Sequence, residues 1–131
     1  MVNSILNEQH RKLIEKSILF WVASVSEKGQ PNVSSKKVFE LHTKDRLVFA
    51  IIFSPNTLKN IKKHPKVGVS CLDISTQKGV QMSGIAEIVS PTRQDFKEIK
   101  QLINKGVFTF RNIISIKITE AKILLAPSYQ F

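Results

Sequence analysis

The segment "RLVFAIIF", Arg46 to Phe53, constrains the fold more than any other stretch of the chain. It is apolar on both faces once extended, which marks a strand buried on both sides. Such a strand needs a sheet around it, and the neighbouring stretches supply one. "SILFWVASVS" is rich in β-branched and aromatic residues and reads as a strand. "EKGQP" brings turn chemistry, and "NVSSKKVFEL" returns as a second strand, so the two predict a hairpin. Further on, "KVGVSCLD", "VQMSGIAEIV", "NIISIKI" and "AKILLA" read as strands, and Gly84 within the second of these predicts a bend or bulge.

Helices punctuate this series without alternating with it. "NEQHRKLIEK" reads as a short helix capped by Asn7, with Leu13 and Ile14 turned inward. "SPTRQDFKEIKQLI" has Thr92 as its expected N-cap and a stripe of Phe96, Ile99, Leu102 and Ile103. Strands grouped in this way predict an α+β domain on a mainly antiparallel sheet or small barrel. The 131 residues suit one domain, spanning residues 1–131.

Composition narrows the function classes. Hydrophobic residues make up 42% of the chain and charged ones 23%, enough for a true core. No apolar run approaches the roughly 20 residues that cross a bilayer. Asn7 to Lys12 interrupt the start where a signal peptide needs its apolar segment, so a cytoplasmic protein away from membranes is expected. Cys71 is the single cysteine and reads as a small buried hydrophobe. His10, His42 and His64 lack the spacing of a metal site, and no nucleophile elbow, P-loop or dinucleotide fingerprint is present. The side chains therefore advertise no catalytic machinery of their own, and a borrowed reagent is the natural alternative.

The 20 Lys and Arg against 10 Asp and Glu give a net charge of +10, which attracts anions. A basic non-enzymatic binder, of nucleic acid for example, is one reading of that charge. It is the weaker one, because basic and aromatic residues are not interleaved as stacking surfaces require.

Two stretches point to where an anion would go. In "FSPNTLKNIKKHPKV" a helix is entered through Ser54 and Pro55 and stopped by Pro65, with no acidic residue in its first turn. The free backbone N–H groups of Asn56 and Thr57 would attract phosphate, with Asn60 one turn on and Lys59 nearby. A plain surface helix with its lysines in solvent is the competing reading. In "PNVSSKKVF", alternation puts Asn32, Ser34 and Lys36 on one face, and Val33, Phe39 and Leu41 on the other. The polar face is either solvent-exposed or the wall of a polar cleft, and Lys37 falls on the apolar side.

In order and spacing, "ASVSEKGQPNVSSKKVFEL", "DRLVFAIIFSPNTLKNIKKHPKVGVSC" and "KGVQMSGIAEIV" resemble the pyridoxamine 5′-phosphate oxidase-like family of FMN-binding split-barrel proteins. The resemblance covers the chain from about Leu6 to about Leu125. It implies a six-stranded antiparallel split β-barrel with two or three peripheral helices. It further implies a homodimer, with FMN near the subunit interface and oxidoreductase chemistry. By the same resemblance, Ser54, Asn56, Thr57 and Asn60 would hold the FMN phosphate together with Ser34, Lys36 and Lys37. The backbone of Asn32, Val33 and Ser34 and of Ile51, Ile52 and Phe53 would lie along the flavin ring, and Gln81 would reach the cofactor from another strand. Asn56 and Thr57 stand where the pyridoxamine phosphate oxidases themselves carry an Arg-Lys pair, so oxidation of that vitamer is not the expected reaction. A deazaflavin or haem in place of FMN, or a cofactor-free structural or sensing dimer on the same fold, stays open at this point.

Overall fold

The computed structural model describes residues 4–37, 39–51, 54–103 and 112–125. The elements in chain order are α1 (Glu8–Lys16), β1 (Phe20–Val25), β2 (Pro31–Lys36), β3 (Phe39–His42), β4 (Arg46–Ile51), α2 (Pro55–Lys63), β5 (Lys66–Asp73), β6 (Lys78–Ile88), α3 (Phe96–Ile103) and β7 (Asn112–Leu125). All strands pair antiparallel in one sheet of order β2-β1-β5-β6-β7-β4-β3.

That order holds the key to the shape. β2 and β3 are the two edges of the sheet, yet only positions 37 and 38 separate them in sequence. Three peptide steps span at most about 11 Å, so the edges must come close together. The sheet therefore curls into a half-barrel, and β2 also touches β4 across the gap. The α+β class is as expected, but the strands among the described residues number seven rather than six. "NVSSKKVFEL" is two strands, because after Lys36 the chain leaves one edge and enters the other. Conversely, "NIISIKI" and "AKILLA" form the single long strand β7.

β4 is buried on both sides, as its sequence predicts. Leu47, Phe49 and Ile51 point into the barrel with Phe20, Val22, Val69, Met82, Ile114 and Ile116. Val48 and Ala50 point outward beneath α3, against Ile99, Ile103 and Phe96. Phe20, Phe39 and Phe49 bring β1, β3 and β4 together, with ring centroids 4.3 Å apart for the first pair and 5.4 Å for Phe20 and Phe49.

The helix ends follow their local chemistry. Asn7 caps α1 in a capping box with His10, whose backbone N–H donates to Asn7 Oδ1 and whose Nδ1 accepts from the Asn7 N–H. α3 starts at Phe96 rather than after Thr92. Two tight turns hold residues 90–96, and the Thr92 hydroxyl pairs with Ser90 instead of capping. Gly84 sits at the irregularity where β6 slips against β7. A Cβ there would meet Ile116 Cγ2 and the Lys117 carbonyl oxygen at 2.6 Å, so the bulge requires glycine. Cys71 is buried in the core, where desolvation pushes its thiol pKa up. Among the described residues no helix is long and apolar enough to cross a membrane.

Candidate functional site

β2 lies beside β1 with Lys36 opposite Phe20, Ser34 opposite Val22 and Asn32 opposite Ser24. Phe20, Val22 and Ser24 face the barrel interior, so Asn32, Ser34 and Lys36 do too. The polar face of β2 is thus the inner one, and Val33, at 64%, is exposed on the outer face with Pro31 and Ser35. Of the two readings open for that polar face, solvent exposure or the wall of a polar cleft, the structure has the second. Inner polar residues are tolerated because α2, rather than the apolar core, covers this part of the barrel.

α2 meets them with its first turn and a half. Thr57 is fully buried; its hydroxyl accepts from Asn32 Nδ2 at 3.3 Å and lies 3.0 Å from Ser34 Oγ. Lys36 Nζ donates to Ser54 Oγ at 2.6 Å. Asn60 Nδ2 donates to Ser24 Oγ at 3.1 Å, and both residues are buried. Ile61 anchors the helix to the barrel core.

Two groups here are less than satisfied. Ser54 occupies the N-cap position, but its side chain makes no capping hydrogen bond, because its hydroxyl serves Lys36 instead. With no acidic residue in the first turn, the positive end of α2 lacks a negative partner. Lys36 is the second. Its side chain is 95% removed from solvent, since only 5% remains accessible. Among the described residues, a neutral hydroxyl is its only hydrogen-bond partner. An ammonium has three N–H donors, so two remain to be directed at something else. Burial lowers the Lys36 pKa below its ordinary value of 10.5. A buried cation beside an uncapped helix start fits an anionic group with several acceptor oxygens, such as a phosphate.

The structure thus brings together Asn32, Ser34, Lys36, Ser54, Thr57 and Asn60. Asn56 is exposed on the next face of α2. Lys37 is exposed, so Lys36 is the lysine of the pair that enters the site. Ile51 is a core residue whose side chain fills the barrel; Ile52 and Phe53 lie outside the described residues. Gln81 is not part of the cluster. It lies on the outer face of β6, between Ser70 and Lys122 in the sheet, while its neighbours Val80 and Met82 point inward. The sequence reading passed over Ser24, which positions Asn60. A serine in the inward phase of an otherwise apolar strand was the available signal.

The family model described as pyridoxamine 5′-phosphate oxidase matches residues 6–124. No curated protein matches the sequence significantly. Among solved structures, HupZ of Group A Streptococcus superposes with a TM-score of 0.80 at 21% identity, over 96% of each chain. An FMN-binding protein from Syntrophomonas wolfei gives 0.71 at 18% identity, over 90% of each chain. HutZ, the heme storage protein from Vibrio cholerae, gives 0.71 at 12% identity, over 92% of this chain and 94% of that one.

Proposed function

Because this chain belongs to the pyridoxamine 5′-phosphate oxidase family, we propose that it is an FMN-binding flavoprotein of oxidoreductase type, active as a homodimer. The observation that carries this reading is Lys36, a buried ammonium with no carboxylate partner among the described residues, set beside the uncapped start of α2. An isolated buried cation is costly, and a bound phosphate offsets that cost while filling the free donors. Asn32, Ser34 and Thr57 add neutral polar groups around the same point. FMN, when bound, supplies the electron-transfer chemistry. The chain holds the phosphate, fixes the orientation of the ligand and keeps positive charge beside it.

Haem fits this cluster less well than FMN. The converging residues are Asn, Ser, Thr and Lys, and none is a side chain that ligates haem iron. The dimer reading rests on the outer face of the sheet. There Trp21, Leu72, Ile85 and Leu124 are 36–40% exposed and Val33 more so, apolar side chains set among polar neighbours such as Ser70 and Lys122 that a second copy would cover. Gln81 lies on this same face, so it would approach the cofactor only across that contact.

Purified protein titrated with FMN should quench flavin fluorescence with 1:1 stoichiometry per chain. Lys36→Ala and Asn56→Ala should each weaken binding by roughly 1–3 kcal/mol, the scale of a lost charge-assisted hydrogen bond. FMN titrations that are unchanged in both variants would discard the assignment. Sedimentation of the same samples tests the dimer.

A further inference from the structure

The face of α2 that carries Asn56, Lys59 and Lys63 turns away from Thr57 and lines a groove of about 390 Å³. The opposite wall is the tip of the β1–β2 hairpin, including Lys28 and Gln30. Positions 56, 59 and 63 share one helix face, so these side chains form a row along the groove. The volume lies within the range of about 300–1,000 Å³ typical of small-molecule sites.

The charge of this groove is specific. Lys28, Lys59 and Lys63 line it, against the single carboxylate of Glu27. None of these four side chains enters an ion pair among the described residues. Three unpaired ammoniums around one concave surface raise the local concentration of anions. The remaining polar side chains are Ser26 and the amides Gln30, Asn32, Asn56 and Asn60, whose donors and acceptors suit a sugar or a base edge.

The groove also joins the cluster at the start of α2. Asn32 belongs to both, bonded to Thr57 on one side and lining the groove on the other. Asn56 stands at the helix start and in the groove wall. A ligand with one phosphate at the helix start therefore has a lysine-lined path leading onward from that phosphate.

We propose that this groove is a subsite for a second phosphate and its attached nucleoside, so that FMN fills only part of the site and the dinucleotide FAD fills all of it. This inference rests on the reading of the α2 start as a flavin-phosphate site. No bond is made or broken in the groove; it selects by length, because its lysines lie where FMN has ended and the second phosphate of FAD continues.

The test is a pair of titrations on the full chain, with FMN and with FAD, followed by flavin fluorescence. Each exposed lysine-to-phosphate contact changes affinity by roughly two- to fivefold. FAD should therefore bind about tenfold more tightly than FMN at low ionic strength, and the advantage should shrink as salt is raised. The double variant Lys59→Gln/Lys63→Gln keeps helix-forming side chains of similar length and removes two charges. It should bring FAD back to the FMN level while changing FMN by less than threefold. Lys36→Ala should weaken both flavins, since the first phosphate is common to them. FAD binding no tighter than FMN, or a double variant that weakens both flavins alike, overturns the groove and leaves the first phosphate site standing. Wild-type protein that binds neither flavin overturns both readings.

Discussion

β4 and β2 are strands of six residues each in the same curled sheet, and they treat the barrel interior in opposite ways. β4 puts Leu47, Phe49 and Ile51 inside and hides Val48 and Ala50 under α3, so hardly any of its surface after Arg46 meets water. β2 puts Asn32, Ser34 and Lys36 inside and leaves Val33 and Ser35 exposed. One strand is built to be covered; the other surrounds a polar space that only a helix start closes. With the proposed function, the difference assigns stability and binding to different walls of one barrel. Removing the buried ring of Phe49 and removing the buried charge of Lys36 should therefore shift stability in opposite directions.

The largest effect is expected on the apolar wall. Phe49 is fully buried, and its ring meets those of Phe20 and Phe39. Phe49→Ala should lower stability by about 3–5 kcal/mol, from lost transfer energy plus the cavity left behind. That is a large share of the roughly 5–15 kcal/mol that holds a domain of this kind together. Urea denaturation with an unchanged m-value would measure it. A loss below about 1 kcal/mol would show that this wall is far looser than its burial indicates.

On the polar wall the sign should reverse. Lys36→Met removes a desolvated ammonium that has only a hydroxyl as partner among the described residues, so ligand-free protein should gain stability, by about 1 kcal/mol. The pH dependence follows from the direction of the Lys36 shift. Its folded pKa lies below 10.5, so between that lowered value and 10.5 the unfolded chain binds more protons than the folded one. Stability of the ligand-free protein should therefore rise with pH across that window, and the Lys36 penalty should be fully present below it. Affinity for FMN should fall across the same window as the ammonium is lost. Lys36→Met should flatten both trends relative to wild type. Parallel pH profiles for the two proteins would remove Lys36 from the site.

This contrast was only half visible in the sequence. "RLVFAIIF" announced a doubly buried strand because seven consecutive apolar residues leave no alternative phase. The open start of α2 was equally legible, since Ser54, Pro55 and the missing acid are local chemistry. The interior direction of β2 was not. Alternation separates two faces without saying which is inside, and it groups Val33 with Phe39 and Leu41 although Val33 is exposed. What decides the matter is α2, which reaches β2 from about 20 residues further along the chain. The break between β2 and β3 was hidden for a related reason: a chain crossing from one sheet edge to the other can stay extended. In β7, Thr119 and Glu120 looked like a turn, yet they run on through the strand opposite the bulge at Gly84. The groove lysines were visible as charges only, because Lys28 and Lys59 meet through the topology.

An effect no larger than that at Lys36, and the sharpest test of the comparison, lies at Thr57. Its side chain is as buried as that of Phe49, but its contacts are hydrogen bonds to β2 rather than apolar packing. Thr57→Val keeps the shape and the β-branch while deleting the hydroxyl. Asn32 Nδ2 and Ser34 Oγ then each lose a partner, although both residues are only half-buried and water replaces part of what is lost. A cost of about 1 kcal/mol in stability is expected, several times less than at Phe49 for a side chain of equal burial. FMN affinity should fall further than stability, because Asn32 and Ser34 would no longer be held in place beside Lys36. If Thr57→Val instead lost stability on the scale of Phe49→Ala while binding FMN normally, the polar wall would be part of the core. The division of labour between the two strands would then fail.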